Sequence, residues 1–125
     1  MDTAAVLWKA VREMDLCPGR ETLDDWLNVR WGRMRIGRWQ VPVLPLAFGL
    51  REPLIVHDIH HVLTGWNTSY RGEALLAAWE LASGGCRWNA FFWLDRLVFV
   101  AIGLVLCPRE LPGAFRRGRG ARNLY

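Results

Sequence analysis

Histidine is missing from this chain everywhere except one five-residue window. His57, His60 and His61 are all it has in 125 residues. Any metal site that needs histidines from several distant segments is therefore excluded. Lysine is nearly absent as well: Lys9 stands alone among sixteen basic residues, and the rest are arginines. Cysteine is scarce, with Cys17, Cys86 and Cys107 far apart and odd in number. They form no CxxC pair and no disulfide framework, so a reducing cytosol fits them best. Long apolar runs are lacking too. The longest, Leu97 to Cys107, is eleven residues, where a spanning helix needs about 20. Extending it backwards meets Asp95 and Arg96, which are costly in hydrocarbon. Its first reading is a buried helix, and its second a helix resting on or dipping into a membrane. The N-terminal stretch carries Asp2, Lys9, Arg12 and Glu13 and reads as no export signal. Strand-favouring alternations of Val, Ile and Thr are absent, as are internal repeats and low-complexity segments.

What remains is apolar, aromatic and helical in spacing. The hydrophobic fraction is 52%, which excludes a disordered polar chain. Leu, Ala, Trp and Arg dominate, and eight tryptophans are more than a small core holds, so some line a surface, groove or bilayer interface. The expected fold class is all-α: a small single-domain helical bundle over 1–125, with an extended Pro-containing connector before the histidine helix. Residues 1–49 supply N-terminal helices and the connector, and 50–125 the histidine region and a basic tail.

In chain order, Ala4, Leu7, Trp8 and Val11 predict an amphipathic helix over 3–15, ended by Cys17-Pro18-Gly19. Thr22 can cap a second helix, with Asp24 and Asp25 in its first turn, running to about Trp31. Residues 30–40 interleave Arg with Trp, Met and Ile. Nucleic-acid binding would want such a mixture, but two glycines in a short stretch make a poor platform, so a solvated or headgroup-facing connector is expected. Pro42 and Pro45 then bar a helix and give an extended apolar connector. Pro53 opens the histidine helix and Gly65 closes it. A helix follows from about Tyr70 to Ala82, ended by Ser83-Gly84-Gly85, and another over 88–106, ended by Cys107-Pro108. The tail from Arg109 holds Arg116, Arg117, Arg119 and Arg122 against one acid, Glu110.

On a helical wheel at about 100° per residue, His61 falls near 40° from His57 and Asp58 near 100°, while the apolar residues fill roughly 140° to 260°. Two histidines at i and i+4 converge on one point, as divalent metals require. Asp58 can add an oxygen ligand. Glu73 starts the next helix, and a short loop between antiparallel helices would bring it back to His61. Two His and one or two carboxylates with open positions suit Zn²⁺ or Fe²⁺. His60 lies off the focus, as a residue behind the ligands or one that binds substrate. Protease HExxH sites need Glu where Asp58 stands, and HD phosphohydrolases need further histidines, so neither pattern is completed.

These residues resemble a known family. His57-Asp58-x-x-His61, eleven residues, then Glu73 matches the HDxxH-x11-E signature of the Coq-four family of ubiquinone biosynthesis proteins. HVLTGW, the Gly72-Glu73 pair and the tail AFRRGRGARNLY are similar too. The likeness runs from about residue 50, and 1–49 match only loosely. It implies an all-helical protein holding a divalent metal, usually taken as zinc, through His57, Asp58, His61 and Glu73. It also implies action on polyprenylated benzoquinone precursors at a membrane surface, by removal of the C1 carboxyl with oxidation, and a role in organising the biosynthetic complex. The expected partners are thus a polyprenylated aromatic substrate or quinone lipid, an anionic membrane surface and other ubiquinone-pathway proteins, with a homodimer left open and no nucleic acid. The expected place is cytoplasmic, peripheral on the inner face of the cell membrane. A groove lined by Trp66, Trp79, Trp93 and the 97–106 helix would take the prenyl tail. The rival readings are a non-catalytic prenyl-lipid carrier or scaffold with a structural metal, and a soluble metal-dependent hydrolase.

Overall fold

The structure, a computed structural model, describes residues 2–16, 21–27, 31–36, 38–45, 51–85 and 90–125. Among the described residues, six helices and one hairpin follow one another: α1 Thr3–Glu13, α2 Leu23–Leu27, β1 Trp31–Ile36, β2 Trp39–Pro45, α3 Arg51–Thr64, α4 Tyr70–Ala82, α5 Ala90–Leu106 and α6 Leu111–Arg119. The small helical class expected from the spacing holds. Two compact units are distinguished, 1–59 and 60–125, with the boundary inside α3.

In the first unit Asp2 caps α1 by accepting from the Ala4 N–H at 3.1 Å. Thr22 and Asp25 cap α2 reciprocally, each side chain accepting from the other's backbone N–H at 3.1 Å. That helix is shorter than its sequence promised: it ends at Leu27, and Trp31 opens a strand instead. The stop expected at Cys17-Pro18-Gly19 lies outside the described residues. Trp26 is buried and stacks with Trp8 at 6.0 Å between ring centroids.

Of the connector expected to be extended, residues 41–45 are extended and pair with 31–36, while 46–50 lie outside the described residues. β1 and β2 run antiparallel from Trp31↔Pro45 to Ile36↔Trp39, with a register shift between Gly32 and Arg33. The signal was an alternation of Arg33, Met34, Arg35 and Ile36, in which arginine stands where strands usually carry threonine. Gly37, between the strands, lies outside the described residues. Pro42 and Pro45 are tolerated because both strands of a two-stranded sheet are edges.

α3 starts two residues before the expected Pro53, which therefore sits in the first turn, where its missing N–H leaves no helical bond unmade. Gly65 closes the helix at φ +81°, its N–H bonded to His61 O at 2.9 Å.

The second unit is built on α4, which packs against α5 and α6. Its Ala74, Leu75 and Ala78 form a core with Cys107, Leu111 and Ala114. Cys107 is a free thiol; burial and the nearby Glu110 push its pKa up, against reactivity. Cys17 and Cys86 lie outside the described residues. Residues 111–119 of the basic tail form a helix, which Pro112 and several glycines concealed. Pro112 is harmless at the start of α6. Gly118 is there for contact: a Cβ on it would lie 2.3 Å from Trp79 O and 2.8 Å from Trp79 Cα. Backbone cannot yield as a side chain tip can, so Gly118→Ala is expected to destabilise by about 1–3 kcal/mol. Gly113 faces open space, so Gly113→Ala should instead stabilise by about 0.5–1 kcal/mol. Urea midpoints of the two variants, moving in opposite directions, check this.

The 97–107 run is not buried as its first reading had it. In α5 only Phe92, Arg96 and Gly103 are buried. Phe91, Leu94, Leu97, Val98, Leu104 and Val105 are exposed, Val105 to 81%. On the wheel they share one face about 140° wide. Among the described residues no helix is long and apolar enough to cross a membrane.

Candidate metal centre

α3 presents its polar side chains inward: His57, Asp58, His60 and His61 are all buried. Burying four such groups is costly unless each is bonded, and their partners define the site. The Gly65–Ser69 turn reverses the chain. Asn67 Oδ1 accepts from the Ser69 N–H at 3.1 Å, and Ser69 Oγ caps α4 by accepting from the Gly72 N–H at 3.1 Å. α4 then returns with Glu73 in its first turn, as the eleven-residue gap predicts.

His61 is only 1% exposed, and its Nδ1 donates to Trp66 O at 2.8 Å. A carbonyl can only accept, so that nitrogen carries the proton and Nε2 is left with its lone pair. Nε2 faces Glu73 Oε1 at 3.1 Å. Two acceptors at that separation need a proton or a cation between them. Tetrahedral Zn²⁺ with bonds of about 2.0–2.1 Å sets its ligand atoms about 3.3 Å apart. His57 completes the group: single ligand atoms of His57, His61 and Glu73 lie within 4.8 Å of one another. Two imidazoles and a carboxylate with room for further ligands are a donor set that fits a divalent transition metal.

Asp58 stands apart from that group of three. Its Oδ2 accepts the Trp26 indole N–H at 2.8 Å, a buried bond tying α2 to α3. His60 is fully buried with both nitrogens engaged. The Leu124 N–H donates to Nε2 at 3.3 Å, which puts the proton on Nδ1, donated to Glu80 Oε1 at 2.7 Å. His60 is therefore a packing histidine behind the site, edge-on to the Trp79 and Tyr125 rings at 5.0 Å each.

The sequence reading missed the polar hub behind the centre. Glu80 is fully buried. Tyr125 Oη donates to its Oε1 at 2.9 Å, and Arg96 Nη1 to its Oε2 at 3.2 Å. The same Arg96 nitrogen lies 3.7 Å from Glu73 Oε2, and Asp95 accepts from Arg96 Nε at 3.1 Å. Burial disfavours the Arg96 charge, but Glu80, Asp95 and Glu73 outweigh it and raise its pKa above the ordinary arginine value. Asn123 Nδ2 donates to Ser83 Oγ and Gly85 O at 3.0 and 3.1 Å, holding residues 123–125 against the end of α4. A charge inside an otherwise apolar helix was the available signal for Arg96. Glu80 follows Glu73 by two turns on the same helix.

Trp66, expected in a groove, packs on the α4 core, and Arg117 lies over its ring at 4.6 Å. Arg116, Arg119 and Arg122 are exposed. No protein-family model, no curated protein and no solved structure matches the chain.

Proposed function

We propose that this chain is a divalent-metal protein of ubiquinone biosynthesis, peripheral on a membrane. In this reading it removes the C1 carboxyl of a polyprenylated aromatic acid as CO₂, an external oxidant oxidising the same ring carbon. The observation that carries the metal half is the His61 Nε2 to Glu73 Oε1 pair with His57 beside it. His57, His61 and Glu73 hold the ion, zinc first and Fe²⁺ second. The HDxxH-x11-E resemblance implies Asp58 as a fourth ligand, which would have to act beside its bond to the Trp26 N–H. The bound metal would act as a Lewis acid towards the ring carboxylate and stabilise developing negative charge. The chain's own part is to keep the His61 tautomer fixed through Trp66 O and to surround the centre with buried, bonded groups.

The membrane half is supported by the exposed face of α5, larger than isolated surface apolars, and by the exposed arginines that follow it. Replacing Leu104 and Val105 by Gln is expected to weaken binding to vesicles containing anionic lipid by at least about tenfold, since each buried aliphatic side chain is worth about 1.5–3 kcal/mol. Flotation with anionic and neutral vesicles measures it, and unchanged binding removes α5 from the contact. The same apolar face favours the second reading, a prenyl-lipid carrier or scaffold with a structural metal. Restoration of quinone production in a deficient host separates the two. A chain without metal ligands that still restores it is a carrier or scaffold, and one that fails while folded is the enzyme.

A further inference from the structure

We propose that Arg96 and Tyr125 are positioning residues for the metal centre, and that the Asn123–Tyr125 segment works as a strap setting the aim of Glu73. The inference rests on the metal reading of His57, His61 and Glu73. It is carried by an unbroken series of contacts that the centre itself does not require. Tyr125 Oη and His60 Nδ1 occupy Glu80 Oε1 at 2.9 and 2.7 Å. Arg96 Nη1 occupies Glu80 Oε2 at 3.2 Å. With both oxygens engaged in a fully buried site, the Glu80 carboxylate plane is fixed, and the guanidinium is fixed against it. Asp95 holds the opposite edge of that guanidinium.

The consequence falls on Glu73. Its Oε2 is 3.7 Å from Arg96 Nη1, while Oε1 is the oxygen that faces His61 Nε2 at 3.1 Å. The arginine thus sorts the two oxygens, turning one to the cation and one to the metal position. It favours a carboxylate that ligates through a single atom, and it withdraws donor strength from that atom. The strap also grips the other ligand helix. The Leu124 N–H bonds His60, the neighbour of His61 on α3, while Asn123 and Tyr125 bond α4, which carries Glu73. Residues 123–125 therefore tie together the two helices whose separation sets the His61 to Glu73 distance.

The test uses the full chain, loaded with Co²⁺ and with Zn²⁺ in competition with a chelator, and reads affinity and the visible Co²⁺ spectrum. Partners behind metal ligands typically change affinity by about 10–100-fold. Arg96→Lys, which keeps the charge but loses the fork, is expected in that range with an altered Co²⁺ spectrum. Tyr125→Phe removes one hydroxyl, and a smaller loss of roughly threefold to tenfold is expected. Far-ultraviolet circular dichroism checks the fold. If Arg96→Lys does not fold, Tyr125→Phe decides alone. Wild-type affinity and spectrum in the folded variants overturn the inference while the metal reading stands. A wild-type chain that takes up neither Co²⁺ nor Zn²⁺ overturns both.

Discussion

Wild-type protein is expected to hold about one divalent metal per chain, and His57→Ala and Glu73→Ala less than about a tenth of that. With three protein ligands gathered by geometry, each contributes several of the roughly 10–16 kcal/mol typical of protein-bound zinc, and 1.4 kcal/mol is already tenfold in affinity. His57 and His61 share one helix, so losing either leaves one imidazole with Glu73 and ends the i, i+4 histidine chelate of α3. Losing Glu73 removes the charge that balances the cation. Elemental analysis of the purified proteins measures this directly. Equal, sub-stoichiometric metal in wild type and variants would sink the site. Metal lost together with helical signal would make the ion structural. Metal lost with the fold kept, and with quinone production unrestored, would make it catalytic. Asp58→Asn sharpens the result, because Asn keeps an acceptor for the Trp26 N–H but loses the charge. Metal content falling in Asp58→Asn assigns Asp58 to the ion, and unchanged content assigns it to Trp26.

The His57, His61 and Glu73 group was legible because its geometry is local. An i, i+4 pair on one helix face needs no tertiary information, and a Gly65 stop with a Ser69 cap fixes where α4 begins. The hairpin was not legible from branched residues, since its alternation is written in arginine and methionine. α6 was hidden for a different reason. Gly118 lowers helix propensity locally, yet the fold needs it for the approach to Trp79. The Glu80 hub has no local signature at all. Arg96 reads in sequence only as a charge that spoils an apolar run, and its burial follows from which face of α5 packs on α4. Nothing in Asn123-Leu124-Tyr125 announces that these residues bond groups forty or more positions earlier.

Replacing Glu80 by Leu is expected to cost the fold about 3–5 kcal/mol, the usual penalty for removing one partner of a buried ion pair. The loss is large because three donors lose an acceptor at once. Arg96, 3% exposed, would keep Asp95 and the more distant Glu73 but lose its 3.2 Å acceptor. The His60 Nδ1–H and the Tyr125 hydroxyl would both lose the Oε1 acceptor they share. Domains this small are stable by only about 5–15 kcal/mol, so the variant sits near its unfolding threshold. Glu80→Gln is milder: its oxygen can still accept, but its amide meets another donor, and about 1.5–3 kcal/mol is expected. Urea unfolding followed by circular dichroism, with chelator present so that metal does not contribute, orders the three proteins. The double variant Glu80→Leu/Arg96→Leu separates charge from packing. If the cost of Glu80→Leu is mainly the guanidinium's lost acceptor, removing Arg96 as well recovers part of it, and the two changes are non-additive. If instead Glu80→Leu alone shifts stability by less than about 1 kcal/mol, a typical single hydrogen bond, the hub does not hold α4, α5 and the 123–125 strap together, and the strap's grip on the metal helices has to come from Leu124 and Asn123 alone.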